Sequence, residues 1–181
     1  MRLVILDRDG VINYESDAYI KSPAEWLPIP GSLAAIAQLH RAGFTVVVAT
    51  NQAGVARGLF TLADLDAIHR KMLVAVEAAG GKLDGVFYCP HGPQDGCDCR
   101  KPKPGLLRQI EKRFGLSLKS VPVIGDSTRD IEAAQAVGAR AILVRTGNGE
   151  QTIGKLGTPE NIEIYADLAA AANQLIKESN A

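Results

Sequence analysis

The sequence predicts an α/β fold, a three-layer Rossmann-like sandwich in which helices cover both faces of a parallel sheet. Short apolar runs rich in β-branched residues alternate along the chain with longer segments of helical period, which is typical of βαβ units. The apolar runs are continuous, as expected of strands that are buried on both faces. A chain of 181 residues buries roughly 70% of its unfolded surface. We therefore expect a single domain over residues 1–181 that needs no disulfide framework.

The predicted elements alternate between strand and helix. Five strand candidates come from the apolar runs: Leu3–Leu6, Thr45–Ala49, Val86–Tyr88, Val121–Ile124 and Ala141–Val144. Four helix candidates lie between them, each with glycine directly after it: Ser32–Ala42, Thr61–Ala79, Pro104–Phe114 and Thr128–Val137. Thr61 and Asp64 have the spacing of an N-cap pair, and a last helix on the outside is predicted over Tyr165–Lys177.

The charge balance and the lengths of the apolar runs exclude several classes of protein. There are 20 basic and 20 acidic side chains, so neither nucleic acid nor an anionic membrane is an expected partner. The N-terminal apolar run Leu3–Leu6 is too short for a signal peptide, and no run approaches the ~20 apolar residues that span a bilayer. We expect a cytoplasmic monomer that binds a small molecule.

Two carboxylates follow the first predicted strand, where Asp7-Arg8-Asp9-Gly10 begins a loop. Asp7 and Asp9 are two residues apart and can face the same cavity at the carboxyl end of the sheet. A solvated acidic turn is the alternative interpretation. A calcium loop is excluded, because Val11 and Ile12 stand where that loop needs an oxygen ligand and a glycine.

Polar residues also follow other predicted strands. Thr50-Asn51-Gln52-Ala53-Gly54 offers a hydroxyl, two amides and a glycine that could cradle phosphate oxygens, although polar turns have similar sequences. Arg100-Lys101-Pro102-Lys103-Pro104-Gly105 carries cations on a rigid lead-in to a helix, where they could face an anion or solvent. Gly125-Asp126 ends the fourth strand. Asp130, one turn later, is either a site residue or a first-turn acid that stabilises the helix dipole.

The three cysteines of the chain cluster with a histidine, in Cys89-Pro90-His91 and Cys97-Asp98-Cys99. Four soft ligands within eleven positions favour tetrahedral Zn²⁺ over a buried thiol and a surface histidine. Four protein ligands leave no open coordination position, so the ion would be structural. We therefore predict a zinc loop, residues 89–99, that fixes the following Arg100 and Lys101.

A nucleotide-binding P-loop is suggested by Gly149-Glu150-Gln151-Thr152-Ile153-Gly154-Lys155 but does not fit. The next residue is Leu156, where a magnesium-binding Ser or Thr is required. Gly157-Thr158-Pro159 would also break the helix that follows a P-loop. We expect a surface loop instead.

The four strand ends in order, with Asp-x-Asp, Thr, Lys and Gly-Asp, resemble the haloacid dehalogenase superfamily of phosphohydrolases. The resemblance extends from Asp7 to Asp130, about two-thirds of the chain. It implies that Asp7 is a nucleophile that forms an aspartyl-phosphate. It also implies that Asp9 is the general acid toward the leaving alkoxide and then the general base for water.

The same resemblance implies two sets of supporting residues. Thr50 and Lys101 would hold the transferring phosphoryl group. Mg²⁺ would be bound by Asp7, the main-chain carbonyl of Asp9, and Asp126. The implied chemistry is reasonable, because a carboxylate attacks phosphorus only when the repulsion between the two anions is offset.

The zinc loop narrows the resemblance to two families, the heptose bisphosphate phosphatases and the histidinol-phosphate phosphatases. The runs Ala56-Arg57-Gly58 and Lys101–Gly105 are similar to the former. That similarity implies removal of a 7-phosphate while a 1-phosphate is retained, a step toward nucleotide-activated heptose for lipopolysaccharide. Hydrolysis of histidinol phosphate is the alternative. A non-catalytic phospho-acceptor domain is disfavoured by Asp9, since a base that activates water suits turnover better than storage.

A small phosphorylated sugar is the expected partner. The residues expected to bind it are Asp17, Asn51, Gln52, Ala53, Arg57 and Arg100. Arg100 would hold the remaining anionic or hydroxyl end, while Asp17 and Tyr19 either line the sugar rim or belong to a simple surface loop. The short spacings between Asp7 and Lys101 leave no room for a large cap domain. We expect a capless site that small loops shape, including residues 14–20.

Overall fold

Six parallel strands form one sheet in the part of the chain that the computed structural model describes, residues 1–157 and 161–181. In chain order they are β1 (Arg2–Leu6), β2 (Phe44–Asn51), β3 (Gly85–Cys89), β4 (Pro122–Gly125), β5 (Arg140–Val144) and β6 (Glu163–Tyr165). Their spatial order is β3-β2-β1-β4-β5-β6, and every neighbouring pair is parallel.

Helices cover both faces of the sheet, which confirms the three-layer prediction. They are α1 (Ser32–Arg41), α2 (Leu62–Ala78), α3 (Gly105–Phe114), α4 (Thr128–Ala136), α5 (Gly149–Leu156) and α6 (Leu168–Ser179), with a 3₁₀ turn at Pro23–Glu25. Side chains of α1, α2 and α6 pack with Val4 and Leu6 of β1, and those of α3, α4 and α5 pack with Leu3 and Ile5 on the opposite face. None of the helices in the described ranges is both long and apolar enough to cross a bilayer.

The topology of the sheet determines where a ligand binds. The chain runs from β1 outward to β3 and then returns to β4, on the other side of β1. The carboxyl ends of β1 and β4 therefore border a topological switch point, where ligands bind in open α/β sheets. Asp7 follows β1 and Asp126 follows β4. These two of the three predicted magnesium ligands thus lie at this crevice.

The start of α2 confirms the predicted N-cap pair. Thr61 Oγ1 accepts the Asp64 N–H at 3.1 Å, and Asp64 Oδ2 accepts the Thr61 N–H at 2.8 Å. This reciprocal arrangement is a capping box that satisfies two N–H groups otherwise left without partners.

One predicted loop is a helix. The expectation of a surface loop over Gly149–Lys155 is wrong, because these residues belong to α5. Thr152 is buried within it, and its hydroxyl donates to the main-chain oxygens of Asp126 at 2.8 Å and Asn148 at 3.0 Å. Packing against the β4 end thus overrides the weak helix propensity of a segment with two glycines. The helix-breaking residues Thr158 and Pro159 lie outside the described residues.

The C-terminal part differs from the prediction in two ways. β6 was not predicted, because three residues are too few for a periodic signal, yet it pairs with β5. Tyr165, the predicted start of the last helix, is the last residue of β6. The helix begins instead at Leu168, where Asp167 Oδ1 accepts the Ala170 N–H at 2.8 Å.

Candidate active site

A polar hollow of about 150 Å³ opens at the carboxyl ends of the central strands. Most of the predicted site residues line it: Asp7, Asp9, Thr50, Asn51, Gln52, Ala53, Arg100, Lys101 and Asp126. They come from segments that are far apart in the sequence. The parallel sheet brings them together because its strands all end at the same edge.

The Lys101 ammonium is buried between two carboxylates. Its Nζ lies 3.1 Å from Asp7 Oδ1 and 2.5 Å from Asp130 Oδ1, and it donates to the main-chain oxygen of Ala49 at 2.8 Å. Burial alone would lower the pKa of Lys101, but the Asp130 and Asp7 carboxylates outweigh burial and raise this pKa above its ordinary value. Lys101 is therefore a fixed cation beside Asp7.

Carboxylates outnumber cations in this part of the hollow. One oxygen each of Asp7, Asp126 and Asp130 lies within 4.8 Å of the others. Burial and the Asp130 carboxylate raise the pKa of Asp126 to about 7, and the same two causes raise the pKa of Asp7 well above its usual value despite Lys101. Oxygen ligands of octahedral Mg²⁺ stand about 3–4 Å apart. This surplus of buried negative charge and its spacing fit a Mg²⁺ ion.

Asp130 serves both the start of α4 and Lys101. Its Oδ2 accepts the Ser127 N–H at 3.0 Å and the Ser127 hydroxyl at 2.7 Å, while Oδ1 accepts the Lys101 ammonium. Burial would raise the pKa of Asp130, but Lys101 and Ser127 lower it below its usual value. The two alternatives that the sequence left open for Asp130 are therefore both realised.

Asp126 is fixed by its neighbours in two adjacent loops. Its Oδ2 accepts the main-chain N–H of Asn148 at 2.8 Å. Gly10 packs directly against the same carboxylate with φ +83°, and a Cβ at Gly10 would overlap Asp126 Oδ2. Only glycine combines this left-handed backbone with so close an approach, which explains the glycine after Asp7-Arg8-Asp9.

Asp9 is held by three side chains. Arg8 donates to Asp9 Oδ1 through Nε at 3.0 Å and Nη2 at 2.9 Å, and Asn13 Nδ2 donates to the same oxygen at 2.8 Å. Gln52 Nε2 donates to Asp9 Oδ2 at 2.9 Å and to Thr50 Oγ1 at 2.9 Å. The Gln52 amide thus links the predicted acid–base residue to the predicted phosphate-binding hydroxyl.

The predicted zinc ligands converge after β3. Cys89 Sγ lies 3.0 Å from Cys99 Sγ and 3.7 Å from Cys97 Sγ. His91 Nδ1 lies 3.3 Å from Cys99 Sγ and 3.6 Å from Cys89 Sγ. Ligand atoms at about 2.1–2.3 Å from a tetrahedral Zn²⁺ stand about 3.4–3.8 Å apart. The distances from Cys89 to Cys97 and to His91 fall in this range and the two distances to Cys99 are shorter, so the four side chains converge as the ligands of a zinc site do.

Two of the residues predicted to bind substrate do not line the hollow. Asp17 and Arg57 are both exposed, although the Arg57 guanidinium stacks 5.6 Å from the centroid of the Tyr19 ring. Tyr19 itself lines the hollow, and its place at the sugar rim stays a prediction. The Asn51 amide faces a protein partner, the main chain of Lys101.

Sequence reasoning missed three residues of the hollow, Ser127, Arg129 and Asn148. Ser127 and Arg129 follow Asp126 by one and three residues. This proximity was the feature of the sequence that could have indicated their place in the hollow. Asn148 comes four residues after β5 ends at Val144, whereas Asp126 directly follows β4. Its place after a strand was therefore the only indication that it would reach the same edge of the sheet.

Comparisons with known proteins agree with this geometry. A family model for HAD-hydrolase-like proteins matches residues 98–171. The D-glycero-β-D-manno-heptose-1,7-bisphosphate 7-phosphatase of Pseudomonas putida is 58% identical over 97% of this chain and 100% of the relative. The enzyme of that name from Bordetella bronchiseptica is 55% identical over 99% of this chain and 100% of its own. The solved structure of D,D-heptose 1,7-bisphosphate phosphatase from B. bronchiseptica, complexed with magnesium and phosphate, has a TM-score of 0.96 and 55% identity, and the match covers 98% of this chain and 99% of that one.

Fold, hollow and relatives together define a phosphatase of the haloacid dehalogenase type. This confirms the resemblance inferred from the strand ends. More narrowly, the chain belongs to the same family as these heptose bisphosphate phosphatases.

Proposed function

We propose that this phosphatase hydrolyses the 7-phosphate of D-glycero-β-D-manno-heptose 1,7-bisphosphate and leaves the 1-phosphate on the sugar. The observation that carries the proposal is the 55–58% identity, over nearly the whole chain, to two phosphatases named for that substrate and that position. Their names also specify the β anomer, which the sequence alone does not decide.

Asp7 is the proposed nucleophile. One of its carboxylate oxygens attacks phosphorus, the bond between phosphorus and O7 of the sugar breaks, and an aspartyl-phosphate forms. Two features support this role: Asp7 directly follows β1 at the switch point, and its Oδ1 lies 3.1 Å from the Lys101 ammonium. The cation offsets the repulsion between the carboxylate and the phosphate.

Asp9 is the proposed general acid and base. Protonated Asp9 gives its proton to O7 as that bond breaks, and the carboxylate left behind takes a proton from the attacking water. The bond between phosphorus and Asp7 then breaks, which releases inorganic phosphate and restores both residues. Asp9 lines the same hollow as Asp7, which supports this role. Such proton transfer contributes about 10²–10⁴-fold to the rate.

Thr50 and Lys101 are proposed to hold the transferring phosphoryl group, while Asp7, the Asp9 main-chain carbonyl and Asp126 would hold Mg²⁺. Bound there, Mg²⁺ would supply positive charge that stabilises the phosphoryl oxygens. The surplus of buried carboxylates supports this assignment, as does the magnesium in the solved B. bronchiseptica structure.

Arg100 is proposed to hold the 1-phosphate end of the sugar. It lines the hollow, it is half-buried, and it directly follows the proposed zinc ligands Cys89, His91, Cys97 and Cys99. A structural Zn²⁺ there would limit the motion of the segment that carries Arg100 and Lys101.

The cytoplasmic location and the monomeric state of the protein remain predictions.

The substrate assignment is tested by phosphate release from both anomers of the heptose bisphosphate and from histidinol phosphate. We expect the β anomer to have the highest kcat/KM. In ³¹P NMR of the product, the 7-phosphate signal should disappear and the 1-phosphate signal should remain. Faster turnover of histidinol phosphate, or release of the 1-phosphate, would refute the proposal.

The nucleophile is tested by Asp7→Asn with a matched control. Asp7→Asn should lower kcat by at least about 10⁴-fold, because an amide cannot form the acyl phosphate. Asp66→Asn, on the exposed face of α2, makes the same chemical change away from the hollow. It should keep kcat within about twofold of the wild type.

A further inference from the structure

Arg8 is a charged side chain with no access to solvent. Its exposed fraction is 0%, so its guanidinium needs partners in the protein interior. Nε and Nη2 donate to the Asp9 carboxylate, with a third contact of 3.2 Å from Nη2 to Asp9 Oδ2. Its remaining nitrogen, Nη1, lies 3.1 Å from Nε2 of His69 on α2. The guanidinium thus bridges Asp9 to a helix 61 residues away.

His69 is the acceptor in that contact. Arginine only donates hydrogen bonds, so His69 Nε2 must carry the lone pair and the ring proton must lie on Nδ1. Burial and the nearby Arg8 lower the pKa of His69 to about 3, which keeps the ring neutral. The ring also packs against Tyr88 of β3, with ring centroids 5.8 Å apart. Arg8, in the loop after β1, and Tyr88 of β3 therefore hold the His69 ring in place.

We propose that His69 is a positioning residue for Asp9 and acts through Arg8. The inference rests on the proposed acid–base role of Asp9. A guanidinium is planar and rigid, so fixing Nη1 also fixes the edge that carries Nε and Nη2. That edge orients the Asp9 carboxylate toward the hollow. Without the acceptor the guanidinium can turn, and a misplacement of about 1 Å can cost about 10²-fold in rate.

The first test compares two substitutions of His69. The side-chain amide of glutamine can offer an acceptor near the position of Nε2, whereas leucine offers none. We expect His69→Leu to lower kcat about tenfold with KM within about threefold of the wild type, and His69→Gln to retain most of kcat. Met72→Leu changes another buried residue of α2 and serves as the packing control. Equal losses in the leucine and glutamine variants would overturn the inference.

The second test is a double-mutant cycle with Asp9→Asn. If His69 acts through Asp9, His69→Leu lowers kcat in the wild type but has no further effect in the Asp9→Asn background. The same fold-loss in both backgrounds would mean a general packing effect and would overturn the inference. If His69→Leu does not fold, His69→Phe replaces it in the cycle, because phenylalanine keeps an aromatic ring beside Tyr88 but offers Arg8 no acceptor.

The two proposals fail in different ways. Reduced activity of Asp9→Asn together with wild-type activity of His69→Leu overturns only the positioning role of His69. Full activity of Asp9→Asn overturns the acid–base role of Asp9, and the positioning role with it. Circular dichroism and the thermal midpoint of each variant establish that it is folded.

Discussion

Both polar atoms of the Asn51 side chain pair with the main chain of Lys101. Nδ2 donates to the Lys101 carbonyl and Oδ1 accepts the Lys101 N–H, each at 3.0 Å. The pairing resembles one rung of a β-ladder. Through it, the last residue of β2 holds a loop that lies 50 residues further along the chain. It thereby fixes the main chain of the residue whose ammonium reaches Asp7.

Asn51→Ala should reduce both stability and phosphoryl transfer. Two hydrogen bonds are lost at about 0.5–1.5 kcal/mol each, so the free energy of unfolding should fall by about 1–3 kcal/mol. We expect kcat to fall about tenfold, because Lys101 loses its position beside Asp7 and the transferring phosphoryl group. KM should rise less than kcat falls, because the Asn51 side chain itself pairs with the main chain of Lys101. Urea unfolding and steady-state kinetics measure the two effects.

Gln38→Ala is the control for Asn51→Ala, because it removes an exposed amide on α1. It should leave both quantities close to the wild type. A raised KM with unchanged kcat in Asn51→Ala would show that the amide binds substrate directly, as the sequence predicted, and that its role in holding Lys101 is minor.

Zinc removal should impair the enzyme in a way that magnesium does not repair. We expect about one zinc per chain by elemental analysis, bound by Cys89, His91, Cys97 and Cys99. Chelation should expose residues 89–99 to proteases and lower kcat, because the segment before Lys101 loses its constraint. Added zinc should restore activity.

The histidines of the chain supply a matched control for the zinc prediction. His91→Ala should lose the metal, whereas His40→Ala, at an exposed position of α1, should retain it. Undiminished activity of fully zinc-free protein would contradict a link between the zinc loop and Lys101.

The buried His69 should make stability depend on pH below neutrality. Burial and Arg8 lower its pKa in the folded protein to about 3, from a usual value of about 6.5. Between these values the unfolded chain binds a proton that the folded chain does not bind, so stability falls as pH falls through that window. His69→Gln lacks this contribution, and its unfolding free energy should decline less than that of the wild type between pH 6.5 and 4. Parallel curves for the two proteins would contradict the buried neutral ring.

The central strands could be predicted because burial on both faces leaves a strong signal in the sequence. Val46, Val47 and Val48 of β2 are all fully buried, and such a continuous apolar run is typical of a strand inside a parallel sheet. β6 lacks that signal, since its three residues are only half-buried. Its strand conformation comes from pairing with β5, which no local pattern reveals.

The site could be predicted where a residue stands directly at a strand end. Asp7, Thr50 and Asp126 each do, and the sheet brings such positions together in any fold of this class. The contact between Arg8 and His69 could not be predicted in this way. It depends on which face of α2 packs toward the sheet, and in the sequence His69 is an ordinary member of an amphipathic helix.

Arg140 should stabilise the C-terminal part of the sheet above about pH 4. Its guanidinium binds Glu163 of β6 and Glu178 of α6, with contacts of 2.5–3.0 Å. The Arg140 hydrogen bonds lower the pKa of Glu163, and those from Arg140 and Gln174 lower the pKa of Glu178 to about 2. This stabilisation is therefore present above the unfolded value near 4.5 and is lost as pH falls toward 2.

Arg140→Gln tests this ion cluster by thermal and urea unfolding at several pH values. Because the three side chains are partly exposed, we expect a loss of about 1 kcal/mol at pH 7 that disappears near pH 2. Arg145→Gln breaks the more exposed pair with Glu150 and should cost less than about 0.5 kcal/mol. A deficit in Arg140→Gln that persists unchanged at pH 2 would mean that its hydrocarbon packing, and not its charge, joins β5, β6 and α6.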